Sequence, residues 1–149
     1  MSRHTVIPSV HLLLLHGDNI FLARRFQTGY GDGEYSVPAG HIEKGETATQ
    51  AVIREALEEV GLVLEHSDLH MIHVMNRMKA DSKDERVDFF FLCKKWQGDP
   101  KNMEPEKCDD IRWFPIANLP ENTIPYLKHA IDLYQRSIFY SEYGWQGEP

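Results

Sequence analysis

Apolar side chains dominate residues 5–15, TVIPSVHLLLL, with little alternation, and the segment is expected to be a mostly buried strand. His16-Gly17-Asp18-Asn19 then supplies a turn, and residues 20–24 the hairpin partner. Residues 25–34 carry Gly29, Gly31 and Gly33 without the order of a dinucleotide fingerprint, and read as a flexible surface loop. Residues 35–38 form a brief strand, after which Pro38-Ala39-Gly40 turns the backbone toward a helix. Thr47 followed by Gln50 is a capping box and Gly61 a left-handed C-terminal cap, so that helix should run over residues 48–60. Its stripe of Ile53, Ala56, Leu57 and Val60 is expected to pack on a core, with Ala48 and Ala51 on the other face. Residues 69–78 and 86–96 resemble two further strands joined by a charged loop, and VDFFFLCKKW suits a buried one. An acidic stretch over 102–110 precedes a short strand at 111–114. Ile124, Leu127, Ala130, Ile131, Tyr134 and Ile138 then recur at helical spacing, which predicts a helix over 124–140. Residues 146–149 should fray. Strands then helix, twice over, predict an α/β fold with a mixed sheet between helical layers. Without repeats or an interdomain linker, residues 1–149 are expected to form a single domain.

Composition narrows the function. A 149-residue chain that is 42% hydrophobic can bury a core. Its net charge of −7 argues against general binding to nucleic acid or to an anionic membrane surface. Cys93 and Cys108, the only two cysteines, are too few for a disulfide framework and form no CxxC pair. Free thiols in a reducing cytoplasm are the expectation, with Cys93 in the core. The short apolar run near the N-terminus, interrupted by Pro8 and His11, is neither a signal peptide nor a membrane span.

The chemistry concentrates between Gly40 and Leu62. Glu43 and Glu46 precede the helix, and Glu55, Glu58 and Glu59 follow within it at i, i+3 and i+4, on one face. Three like charges in one turn, near the helix C-terminus where the dipole also opposes them, call for a cation. All-oxygen ligands suit Mg²⁺ or Mn²⁺ rather than zinc, and Mg²⁺ is commonly shared with phosphates. A phosphate-bearing substrate follows. The chain holds no loop of alternating Asp and Asn ligands of the EF-hand kind.

Gly40, five residues, Glu46, seven residues, Arg54-Glu55, two residues, Glu58-Glu59, one residue and Gly61-Leu62 together resemble the Nudix box of the Nudix hydrolase family, with Ala56 in an aliphatic slot. The box covers 23 residues, and the flanking YSVPAG and IRWFPIANLP segments also fit. The resemblance implies an α/β/α sandwich and a metal-dependent hydrolase of phosphoanhydrides, in the MutT-like nucleotide pyrophosphohydrolase branch. It implies Glu55, Glu58 and Glu59 as metal ligands, with Glu59 the most constant, and the backbone carbonyl of Ala39 completing the sphere. Arg54 is expected to pair with Glu46 and fix the loop against the helix. Glu104 and Glu106 are candidates for a late ligand or general base, or are simply solvated. Arg25 matches a phosphate-contacting position, with an unengaged surface arginine as the alternative, and the glycine loop beside it is expected to border the substrate. Asn122 either presents its amide to a purine edge or starts the last helix. Tyr30, Tyr35 and Trp113 either stack on a base or belong to the core.

Three functions are carried forward. The first is cleavage of a nucleoside triphosphate, oxidised and non-canonical ones included, to monophosphate and pyrophosphate, favoured by the compact length. The second is hydrolysis of ADP-ribose, nucleotide sugars or dinucleoside polyphosphates. The third is a nucleotide sensor without catalysis, against which the intact glutamate set argues. The expected partner is a small nucleotide rather than nucleic acid or membrane, and a homodimer is left open.

Overall fold

The computed structural model describes residues 2–79 and 82–145. Strand β1 (Ile7–His16) forms a hairpin with β2 (Asn19–Arg25), which is followed by the short strands β3 (Tyr35–Ser36) and β4 (Ala39–His41). Helix α1 (Ala48–Val60) and a 3₁₀ turn (His66–Asp68) lead to β5 (Leu69–Met78), β6 (Glu85–Cys93) and β7 (Cys108–Pro115). Helix α2 (Pro125–Gln135) and β8 (Tyr140–Tyr143) complete the order. The sheet runs β3-β2-β1-β6-β5-β8, with β4 paired to β1 and β7 to β2. The β1–β6 and β5–β8 pairs are parallel and the others antiparallel, so the sheet is mixed.

Strand β1 shows why its sequence lacks alternation: both of its faces are buried. Val10, Leu12 and Leu14 pack with Phe21, Phe91 and the α1 residues Ala51, Val52, Ala56 and Val60. Leu13 and Leu15 pack on the opposite side with Phe90, Met75 and the α2 residues Leu127, Ala130 and Ile131. Period-two geometry thus sends successive side chains of one strand into two cores, one under each helix. The result is the expected α/β/α layering. Cys93 is buried, and both cysteines are free. Among the described residues no helix is long and apolar enough to cross a membrane.

Four expectations are corrected. Residues 39–41 are a strand rather than a turn, because their backbone pairs with Ser9, Val10 and His11 of β1. The stripe of α1 that enters the core is Ala51, Val52, Ala56 and Val60, whereas Leu57 is 55% exposed. Helix α2 stops at Gln135 rather than continuing to 140: Ser137 takes a φ of 59°, Ile138 folds back to the Leu133 carbonyl, and the chain leaves as β8. Strand β7 starts at Cys108, so part of the acidic stretch is strand. Residues 80 and 81, and residues 146–149, which were expected to fray, lie outside the described residues.

Candidate active site

Helix α1 is fixed at both ends by its own sequence. The Thr47 hydroxyl accepts from Gln50 N–H at 3.1 Å, and the Gln50 side chain accepts from Thr47 N–H at 2.8 Å. Gly61, at a φ of 70°, closes the other end by donating to the Ala56 and Leu57 carbonyls. Two further end carbonyls, of Glu59 and Val60, accept from Met103 and Lys101 N–H groups. Those bonds satisfy helix-end acceptors and dock residues 101–104 beside the carboxylates.

Arg54 organises the acidic face. Its guanidinium forks onto Glu46, Nε donating to Oε2 at 2.7 Å and Nη2 to Oε1 at 3.0 Å. Nη1 donates to Glu55 at 2.8 Å and to Glu58 at 3.3 Å, and Nη2 also reaches the His41 carbonyl at 3.1 Å. One side chain therefore ties loop, strand β4 and helix together. Hydrogen bonding from Arg54 lowers the Glu46 pKa to about 2. Gly40 is required by close approach, since a Cβ there would overlap the Glu55 carboxylate.

The three helix glutamates differ in environment. The Glu58 side chain is 55% exposed and that of Glu55 13%. Burial raises the Glu55 pKa against the opposing pull of Arg54. Glu59 lies deeper, its Oε2 accepting from Ala39 N–H at 2.9 Å, and burial with the neighbouring Glu55 charge pushes it up to about 8. A bound cation would favour the ionised form of these carboxylates. Among the described residues no three His, Cys, Asp or Glu converge as a ready cluster. Glu55 and Glu58 are turned to Arg54, and Glu59 to Ala39. The donor chemistry fits a hard divalent cation.

These carboxylates wall a cleft of about 600 Å³ that also includes Arg25, Ala39 and Glu104. Glu104 is brought there by Asn102, whose Oδ1 accepts from Glu104 N–H at 3.1 Å while its Nδ2 donates to the Cys108 carbonyl at 2.7 Å. Sequence reasoning missed Asn102; its position before an acidic loop is an Asx-turn signal. Glu106 is exposed and does not line the cleft. Arg25 is held by the glycine loop, Nε donating to the Tyr30 carbonyl at 2.6 Å and Nη2 to the Thr28 hydroxyl at 3.0 Å. Gln27 and Thr28 of that loop also wall the cleft. Asn122 lies apart, its amide donating to the Gly33 carbonyl at 2.9 Å, while the N-cap of α2 is Ile124. Tyr35 is buried with its hydroxyl on Asp110, and Trp113 stacks on Trp96 away from the cleft.

A mixed sheet between two helices, with a glycine-bounded carboxylate helix at one edge of a cleft, defines the Nudix hydrolase class. The NUDIX domain family matches residues 6–134, and the chain belongs to that family. It is similar to the 8-oxo-dGTP diphosphatase of Escherichia coli (strain K12), at 28% identity over 78% of this chain and 85% of that protein. It is also 34% identical to the NAD-capped RNA hydrolase of Stutzerimonas stutzeri (strain A1501), over 76% of this chain but 38% of that protein. The chain thus spans less than half the length of this second relative. A MutT NUDIX hydrolase structure from Burkholderia pseudomallei shares the fold, with a TM-score of 0.79 at 22% identity over 87% of this chain and 98% of that one.

Proposed function

We propose that this enzyme hydrolyses a nucleoside triphosphate, oxidised and non-canonical ones included, to a monophosphate and pyrophosphate. The observation that carries the reading is the crowding of Glu55, Glu58 and Glu59 on a cleft wall shared with Arg25. Anionic ligands on one side and a cation on the other suit a metal-bridged polyphosphate. The E. coli diphosphatase relative, matched over most of its length, supports a triphosphate.

Glu55, Glu58 and Glu59 would hold Mg²⁺ or Mn²⁺, with the Ala39 carbonyl as a further oxygen donor. When bound, the ion lowers the pKa of a water and neutralises charge that builds on the phosphates. The rest falls to the chain itself. Arg54 and Glu46 hold the loop and helix in register behind the ligands. Arg25 binds an anhydride oxygen, and Glu104, seated by Asn102, is the proton acceptor or a late ligand. Two free cysteines and an acidic composition accord with a cytoplasmic enzyme acting on small nucleotides.

A substrate panel tests the reading: canonical and oxidised triphosphates, ADP-ribose, a nucleotide sugar and a dinucleoside polyphosphate, each with Mg²⁺ and with EDTA. The expected result is EDTA-sensitive pyrophosphate release from one triphosphate class. Cleavage confined to ADP-ribose or the dinucleotide, or no turnover at all, would refute it.

A further inference from the structure

Four cationic side chains wall the carboxylate cleft: Arg24, Arg25, Arg54 and Lys107. Arg24 is engaged by Asp109 at 2.7 Å, Arg54 by Glu43, Glu46, Glu55 and Glu58, and Lys107 by Glu104 at 3.8 Å. Arg25 differs from them. Its guanidinium donates to neutral oxygens, Nε to the Tyr30 carbonyl at 2.6 Å and Nη2 to the Thr28 hydroxyl at 3.0 Å, and among the described residues no carboxylate forms an ion pair with it. Those bonds take two of the roughly five N–H donors that an arginine carries. Its charge and its remaining donors are left for an anion in the cleft.

The loop over residues 27–34 is folded around this one side chain. The Arg25 N–H donates to the Glu34 carbonyl at 2.9 Å, and the Arg25 carbonyl accepts from Gly33 N–H at 2.8 Å. A Cβ on Gly31, whose φ is 61°, would stand 3.3 Å from Arg25 Cδ and 3.2 Å from Ile124 Cδ1, so the glycine leaves the arginine its space. The Thr28 hydroxyl is the junction. It accepts from Arg25 Nη2 and from Tyr30 N–H at 3.2 Å, and it lies 2.6 Å from Asp32 Oδ1 and 2.8 Å from the Tyr30 carbonyl. A hydroxyl has a single proton, and the nearer, charged oxygen of Asp32 takes it. Asp32 also accepts from Thr28 N–H at 2.9 Å and from Gly29 N–H at 3.0 Å. These bonds, that of the Thr28 hydroxyl first, hold its carboxyl below the usual carboxylate range. Without Asp32 the Thr28 proton would turn to the Tyr30 carbonyl, the oxygen that accepts from Arg25 Nε. Hydroxyl and guanidinium would then compete for one acceptor.

We propose that Asp32 is a positioning residue for Arg25, acting through the Thr28 hydroxyl to fix the guanidinium on the cleft wall before a substrate phosphate arrives. Asp32 itself is exposed and does not line the cleft, so it acts without touching substrate. The gain is preorganisation: the ordering of a long side chain is completed by folding rather than by binding. Its role in turnover rests on the reading of Arg25 as the group that binds an anhydride oxygen. Solvent exchange of the Arg25 Nε–H, followed by NMR in the metal-free protein, tests the positioning by itself. Exchange at least about tenfold faster than in the parent is expected in Asp32→Ala and in Thr28→Val, with the Arg54 Nε–H unchanged as a sign that the fold is intact. Unchanged Arg25 exchange in Asp32→Ala overturns the positioning, and unchanged exchange in Thr28→Val overturns the route through Thr28. A double-mutant cycle tests the use of the device: kcat/KM for the triphosphate should fall about tenfold in Asp32→Ala, and that substitution should have no further effect in an Arg25→Ala background. A loss that multiplies with that of Arg25→Ala, or no loss in the single variant, overturns the role in turnover. If Arg25→Ala is fully active, or no triphosphate is cleaved, the functional reading fails while the exchange measurement still decides the positioning.

Discussion

At the level of single residues, Glu59 combines a fixed position, set by the Ala39 N–H, with a pKa pushed up to about 8. The folded metal-free protein therefore holds this proton more tightly than the unfolded chain does. Its stability should fall as pH rises from about 4.5 through about 8, by on the order of a few kcal/mol, and Glu59→Gln should flatten that slope. Urea melts of both proteins across this range check the sign. Gly40 makes a different demand. Gly40→Ala places a methyl in the Glu55 carboxylate and should cost about 1–3 kcal/mol in the same melts, with a larger loss in turnover as Glu55, a proposed metal ligand, is displaced. Box residues such as these were legible in the sequence because their spacing is local. Asn102 was not, because its work is to seat Glu104 through a loop docked on the far end of α1.

Among the elements, α1 was readable to the residue because its caps are written into its own ends. Thr47→Ala should cost about 1 kcal/mol by removing the bond to Gln50 N–H. The buried face of α1 is rotated by about one position from the apolar stripe in its sequence. Leu57 fits an apolar stripe on paper but stands in solvent, while Val52 is buried. Leu57→Ala should stay within about 0.5 kcal/mol of the parent, and Val52→Ala should lose roughly 2 kcal/mol, both by urea denaturation. Strands β4 and β8 escaped notice for a common reason. Ala39-Gly40-His41 has no strand propensity of its own and is extended only because β1 offers a partner edge. Helical periodicity through Ile138 concealed the break at Ser137, after which the chain pairs with β5.

For the molecule as a whole, the sheet gathers functions that no sequence window contains. Ser9 and His11 from β1, Arg77 from β5 and Asp88 from β6 meet in one buried network. Asp88→Asn should destabilise the protein by about 3–5 kcal/mol, since it leaves Arg77 buried without its counter-charge. Because the folded pKa of Asp88 is depressed, its contribution is present above about pH 3.8 and is lost as pH falls through the folded value. The α/β/α layering was legible from the order of strands and helices, whereas the Asp88 network, assembled from three separate strands, was not. The central claim is that a metal held by the α1 glutamates drives pyrophosphate release. Product-resolved hydrolysis of the preferred triphosphate by the parent and by Glu59→Gln, each with Mg²⁺ and with EDTA, tests it most directly. The account predicts turnover that EDTA abolishes and that Glu59→Gln lowers at least about 100-fold with the fold intact. Undiminished turnover in Glu59→Gln, or hydrolysis indifferent to EDTA, would contradict it.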